Sequence, residues 1–265
     1  MNNEKATPEQ VFALAGRFAS EVNSWGLPRN VVLEAKEQSD HPLWEAIRGV
    51  LVPKLEEQPV ATEVVAPLSN KVLNTPRIQV LRERPKPCAK RTVDDQVSDL
   101  KRMYTELGWT WIESGLVIPE RQKGIDRLIV SADVSLTNNR AFGVCEASFP
   151  SWRYADDLDL AVPANKDERH PVRGPYAIWV KDDADSDYDL RNISADMIAE
   201  RALKTETFLE RGLHELIHYR ETGEHLDTRT LTLCSGSRYS YGSVPCARWN
   251  DDGCMVSWCH PDSRF

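Results

Sequence analysis

A chain of 265 residues is long enough for one large domain or two smaller ones. Its hydrophobic (41%) and charged (28%) fractions suit a folded globular protein, and no apolar run reaches the ~18 residues of a membrane span. The net charge of −8 is uneven: −3 over residues 1–60, +5 over 61–92 and −10 over 93–265. A basic connector between acidic parts can touch nucleic acid or an acidic partner, or serve as a solvated tether. The start of the chain has neither the basic nor the apolar region of a secretory signal, so a cytoplasmic location is expected. The six cysteines (88, 145, 234, 246, 254, 259) are then expected as thiols.

The first 52 residues read as a small helical module. Thr7-Pro8-Glu9-Gln10 is a capping-box start, and Val11, Leu14, Ala15, Phe18 and Val22 follow at helical spacing. Shorter helical patterns surround Val31 and Trp44. Three short helices bury little surface alone, so the module is expected to dock on a partner. Residues 53–92 hold six prolines and read as an extended basic linker, with a short strand at Arg77–Leu81.

The larger domain is expected over 93–265. A helix spans Val93–Leu107. Strand-like runs follow at Trp109–Ile112, Leu128–Val134, Ala141–Phe149 and Tyr176–Val180. A helical region runs from Ser194 to Thr222, with Gly223 as its C-cap. Thr230–Cys234 reads as a strand. Cys246–Trp249 and Cys254–Trp258 flank Asn250-Asp251-Asp252-Gly253, a hairpin signal. Strands mixed irregularly with helices predict an α+β fold.

One motif makes a chemical claim. His214-Glu215-Leu216-Ile217-His218 spells H-E-x-x-H, the helical zinc signature of metallopeptidases. Such a site needs two imidazoles on one helix face, a glutamate base and a third ligand. His214, His218 and Glu215 supply the first parts. His225 is the nearest third ligand, but Gly223 and His225 depart from the extended motif spacing. The extra residues turn that segment by ~200° and lift it ~3 Å. Leu209, Leu213, Leu216 and Ile217 share the opposite helix side, so the two histidines are expected on a solvated face, in i,i+4 pairs Glu210–His214 and Arg211–Glu215.

Ser235, Ser237 and Arg238, in the loop Cys234-Ser235-Gly236-Ser237-Arg238, form a candidate binding site for an anion. Asp183–Asp189 lacks the glycine and glutamate of a calcium loop and reads as a solvated acidic loop. Cys246, Cys254, Cys259 and His260 would divide between two faces of a hairpin, which disfavours a zinc cluster.

The stretch Glu221–Gly253 (ETGEHLD, then TLCSGSR, then VP and Trp249) resembles a family of uncharacterised bacterial, phage and mobile-element proteins. That resemblance implies no activity, cofactor or catalytic residue. Together these features predict a non-catalytic binding or adaptor protein. It would engage another protein or a nucleoprotein complex through the 1–52 module and the basic linker. The contrasting expectation is a zinc hydrolase, with Glu215 as base and His214, His218 and His225 as ligands.

Overall fold

In the computed structural model of the chain, residues 75–265 are described. The helical module expected over 1–52 and the first part of the expected linker, 53–74, lie outside the described residues. From 75 to 92 the chain is largely extended, as its prolines require, and fastened to the domain. Ile78 is buried, and its N–H donates to Ser148 Oγ at 2.9 Å. The Leu81 N–H donates to the Arg220 carbonyl at 2.8 Å. A 3-10 turn at Cys88–Lys90 buries Cys88, whose N–H donates to Asp182 at 3.2 Å. No strand forms over 77–81, because these backbone groups pair singly rather than in a ladder.

Helix α1 (Val93–Glu106) starts at a capping box in which Thr92 and Asp95 satisfy each other's N–H groups. It buries Leu100, Met103 and Tyr104. The Tyr104 hydroxyl donates to the Val130 carbonyl (2.6 Å) and accepts the Ala132 N–H (3.1 Å), tying α1 to the end of β1 (Arg127–Ser131). The expected strand at Trp109–Ile112 is an irregular segment, tied to the end of β1 by the Ile112 N–H donating to the Ala132 carbonyl. Strand β1 pairs antiparallel with β3 (Tyr176–Val180), with Ile129 opposite Ile178.

The strand expected at Ala141–Phe149 is instead the helix α2 (Asn138–Ser148). Thr137 caps it by accepting the Arg140 N–H, and Asn138, Ala141, Phe142, Val144, Cys145 and Ala147 are buried, on more than one face. The apolar run there is too dense to show its period, so it reads equally as strand or helix. Pro150 ends it by disfavouring helical geometry at Phe149. Strand β2 (Ser151–Arg153) and the single turn α3 (Leu158–Ala161) follow.

The helical region expected over 194–222 is two helices, α4 (Ala195–Glu200) and α5 (Phe208–Thr222). They are separated where Ala202 takes φ 52°. Gly223 closes α5 in the left-handed conformation, as its position predicts. Strands β4 (Thr232–Leu233), β5 (Val244–Asn250) and β6 (Gly253–Cys259) complete a four-stranded sheet in the order β2-β6-β5-β4. Only β2 runs parallel to its neighbour, β6. The fold is α+β. Helix α5 packs on α2, β1 and β5, so it lies between the two sheets. Among the described residues no helix is long and apolar enough to cross a membrane.

The β5–β6 turn depends on Gly253. It opens β6 at φ 118°, and a Cβ there would lie 2.2 Å from the Pro150 carbonyl oxygen. That carbonyl accepts the Cys254 N–H at 2.9 Å, so it cannot retreat without losing a bond. Gly253→Ala therefore combines backbone strain with a backbone clash. Urea denaturation should show a loss of about 2 kcal/mol or more. A loss under ~0.5 kcal/mol would mean that the turn relaxes freely.

Candidate functional site

Helix α5 is not the solvated helix that its charged residues suggest. Twelve of its fifteen residues are buried, including Glu210, Arg211, His214, Glu215, His218, Arg220 and Glu221. His214 is only 6% exposed and His218 7%. The expected wet face is instead covered by β1, the 169 loop and the 225–227 segment, each bringing counter-charges. A buried ion is tolerated only when paired and hydrogen-bonded, and α5 meets that condition turn by turn.

At the first turn Glu210 accepts from Arg169 (2.8 and 2.9 Å) and from the Thr207 N–H (2.7 Å). It is therefore not the i,i+4 partner of His214. One turn on, Arg211 grips Asp227 through two nitrogens (3.1 and 2.8 Å) and Glu215 through a third (3.0 Å). The second Glu215 oxygen accepts from His225 Nδ1 at 2.8 Å. Burial alone would raise the Glu215 pKa, but His225 and Arg211 hold it below the ordinary value. Burial would likewise lower the Arg211 pKa, and Asp227 and Glu215 hold it well above. At the last turn Glu221 joins Arg127 (3.0 Å) and Arg91 (2.7 Å), while Arg220 pairs with Glu106.

The histidines of the motif sit between these pairs. His214 Nδ1 donates to Glu206 at 3.0 Å, and its Nε2 has no partner among the described residues. The His218 Nε2 is also buried without a partner. Burial, with the nearby charges of Arg127 and His214, pushes the His218 pKa down to about 4. Two open Nε2 atoms one turn apart, one ring oriented by a carboxylate, are half of a zinc site. His225 does not join them as a third ligand. His225 stacks on Trp249 at a centroid distance of 3.4 Å and on Tyr219 at 4.8 Å, with Nδ1 committed to Glu215. Among the described residues no three His, Cys, Asp or Glu side chains are grouped to hold a metal ion. Glu215, the residue a hydrolase would use as base, is held by two cationic or hydrogen-donating partners.

A cleft of about 720 Å³ opens over this network. Glu206, Arg211, His214 and Asp227 lie at its floor. Trp179, Val180 and Lys181 at the end of β3 form one wall, and Thr230–Leu233 along β4 another. The expected acidic loop supplies Asp183–Asp187 to the same lining, with Asp187 paired to Lys181 at 2.6 Å.

The Ser235–Arg238 loop lies elsewhere, beneath the start of α5. Ser237 Oγ accepts the Phe208 N–H (2.8 Å) and donates to Asp167. Burial pushes the Asp167 pKa up to about 7. Arg238 donates through one nitrogen to the Ser235 and Ser237 carbonyls (2.7 and 2.8 Å). Gly236 passes so close to Thr205 and Glu206 that a Cβ would meet both carbonyls at 3.1 Å. These contacts make the loop a support for the helix start. Glu206 is the site residue that the motif reading passed over, and the bond from Arg211 to Asp227 is the contact that it did not foresee. Arg211–Glu215 spacing was the one visible signal, and it carries no sign of burial. No protein-family model, curated protein or solved structure matches the chain.

Arg211→Ala leaves Glu215 and Asp227 buried with their shared cation gone. Equilibrium unfolding should show a loss of about 3–5 kcal/mol. An effect below ~1 kcal/mol would mean that the network is solvated. His218 predicts the opposite behaviour. Its folded pKa lies below the unfolded 6.5, so unfolded chains bind the proton first and stability falls as pH drops from about 6.5 toward 4. In His218→Leu that slope should flatten, with stability at pH 7 unchanged or higher, because an unpartnered nitrogen has been removed. A strongly destabilised His218→Leu protein at pH 7 would show that Nε2 holds something.

Proposed function

We propose that this chain is a binding protein, and that its cleft holds an extended segment of a partner protein against the edge of β4. The observation that carries this reading is the placement of that edge. Among the described residues strand β4 is the last of its sheet, paired only with β5. The Cys234 N–H donates to the Pro245 carbonyl at 2.8 Å, so alternate residues turn their amides toward β5 and Leu231 and Leu233 turn theirs away. Both leucines line the cleft. An open strand edge beside apolar and charged side chains is the arrangement used for strand addition.

The electrostatics support binding over hydrolysis. A general base must be able to take a proton. Glu215 is held ionised between Arg211 and His225, and its oxygens are already bonded. The zinc hydrolase reading needs that same carboxylate to face a water. The adaptor role expected for residues 1–52 concerns a part of the chain outside the described residues. The cleft is a separate place for a partner to be engaged.

The test uses the full chain and a displayed library of random peptides. Enriched peptides should bind the wild type and bind Leu231→Pro about 10-fold more weakly, because proline removes one outward donor without touching the β4–β5 ladder. A library that yields no binder, or peptides indifferent to Leu231→Pro, would sink the reading. Cleavage of a bound peptide that stops on adding a chelator would favour the zinc hydrolase instead.

A further inference from the structure

All six cysteines lie in the described part of the chain, and all are buried. Most are insulated thiols. Burial holds Cys145 and Cys234 well above the ordinary thiol value and Cys254 at about 12. Two others meet. Cys246 on β5 faces Ser257 on β6, and Cys259 on β6 faces Val244 on β5. The two cysteines are therefore diagonal neighbours on one face of the hairpin. Their Sγ atoms are 2.9 Å apart, nearer than sulfurs in ordinary contact and within ~1 Å of a bonded pair.

We infer that Cys246 and Cys259 form a reversible dithiol–disulfide site that takes small-molecule disulfides as its oxidant. The two sulfurs differ in the way stepwise exchange requires. The contact with Cys246 holds the Cys259 thiol below its ordinary value, while that contact and burial push Cys246 well up. Cys259, at 8% exposure against 3% for Cys246, is also the easier to reach. The Cys259 thiolate attacks one sulfur of the oxidant, forms a mixed disulfide and expels the first small thiolate. Cys246 then loses its proton and attacks the Cys259 sulfur, expelling the second. The two protein thiols lose two electrons and two protons, and the small disulfide becomes two small thiols. The new bond would clamp β5 to β6 directly behind β4, whose outer edge lines the cleft. The inference does not rest on the peptide-binding reading.

The experiment starts from fully reduced, desalted full-length protein exposed to oxidised glutathione under native conditions. After acid quenching, thiols are alkylated in denaturant and mapped by mass spectrometry. The wild type should lose two alkylatable thiols, carry no glutathione, and yield a peptide linking 246 to 259 that dithiothreitol releases. Cys246→Ser should stop halfway, with glutathione retained on Cys259. The inference is overturned if all six thiols remain alkylatable, if the wild type keeps bound glutathione, or if the link joins another pair such as Cys234–Cys259. The wild-type mapping decides among these even if Cys246→Ser fails to fold.

Discussion

The fold turns on burying a helix that carries ionised side chains on every turn. Removing a charge from water costs several kcal/mol even after local relaxation, and only a close, well-bonded counter-charge offsets it. Helix α5 therefore draws its neighbours to fixed positions. Glu210 needs Arg169, Arg211 needs Glu215 and Asp227, Arg220 needs Glu106, and Glu221 needs Arg91 and Arg127. Those partners come from α1, β1, the end of the extended segment and two loops. The apolar residues Leu209, Leu213, Leu216 and Ile217 supply the driving force by joining the core. The ion pairs add little net stability to that, but they penalise any other arrangement of the same elements, because each misplacement strands a charge.

This explains which parts of the structure were legible beforehand. Elements whose signals are local came through. The start of α1 at Val93, the αL glycine after α5, the limits of β3 and the Asn250–Gly253 turn all depend on neighbouring residues alone. Ala141–Phe149 failed because a segment buried on most sides carries no period to read. The break between α4 and α5 failed because nothing in Ala202 announces a positive φ. The larger misreading, a wet face for His214 and His218, had a different source. A helical wheel assumes that charged residues seek water. Here the charges seek one another across 16 to 130 positions of sequence, as Arg211 to Asp227 and Arg91 to Glu221 show, and no local pattern encodes such pairs.

The same logic separates the motif from its chemistry. H-E-x-x-H is a statement about spacing, and spacing is fulfilled: both histidines lie on α5 with Nε2 open. Function depends on what the intervening glutamate does. The salt bridge from Arg211, one turn earlier, and the His225 contact occupy both oxygens of Glu215. The Arg211–Glu215 pair was legible in the sequence as an i,i+4 spacing, and it was already a reason to expect neutralisation.

Asp227 links this interior to the cleft. Its carboxylate accepts from Arg211 on one side and from the Thr230 and Thr232 hydroxyls (2.8 Å each) on the other. Its N–H donates to the Ala184 carbonyl at 2.7 Å, and its own carbonyl accepts the Trp249 N–H at 3.1 Å. One residue thus fastens the α5 floor, the β4 edge, the 183–187 loop and β5 at a single point. It does so with φ at 55°, a conformation that aspartate tolerates better than most side chains. Walls held this way do not need to be ordered when a ligand arrives, so less of the interaction energy is lost to conformational entropy. Any displacement of the edge would pull on a carboxylate that Arg211 holds in the dry interior. The charge network therefore braces the cleft, because moving the β4 edge would cost the bonds that Asp227 makes on both sides.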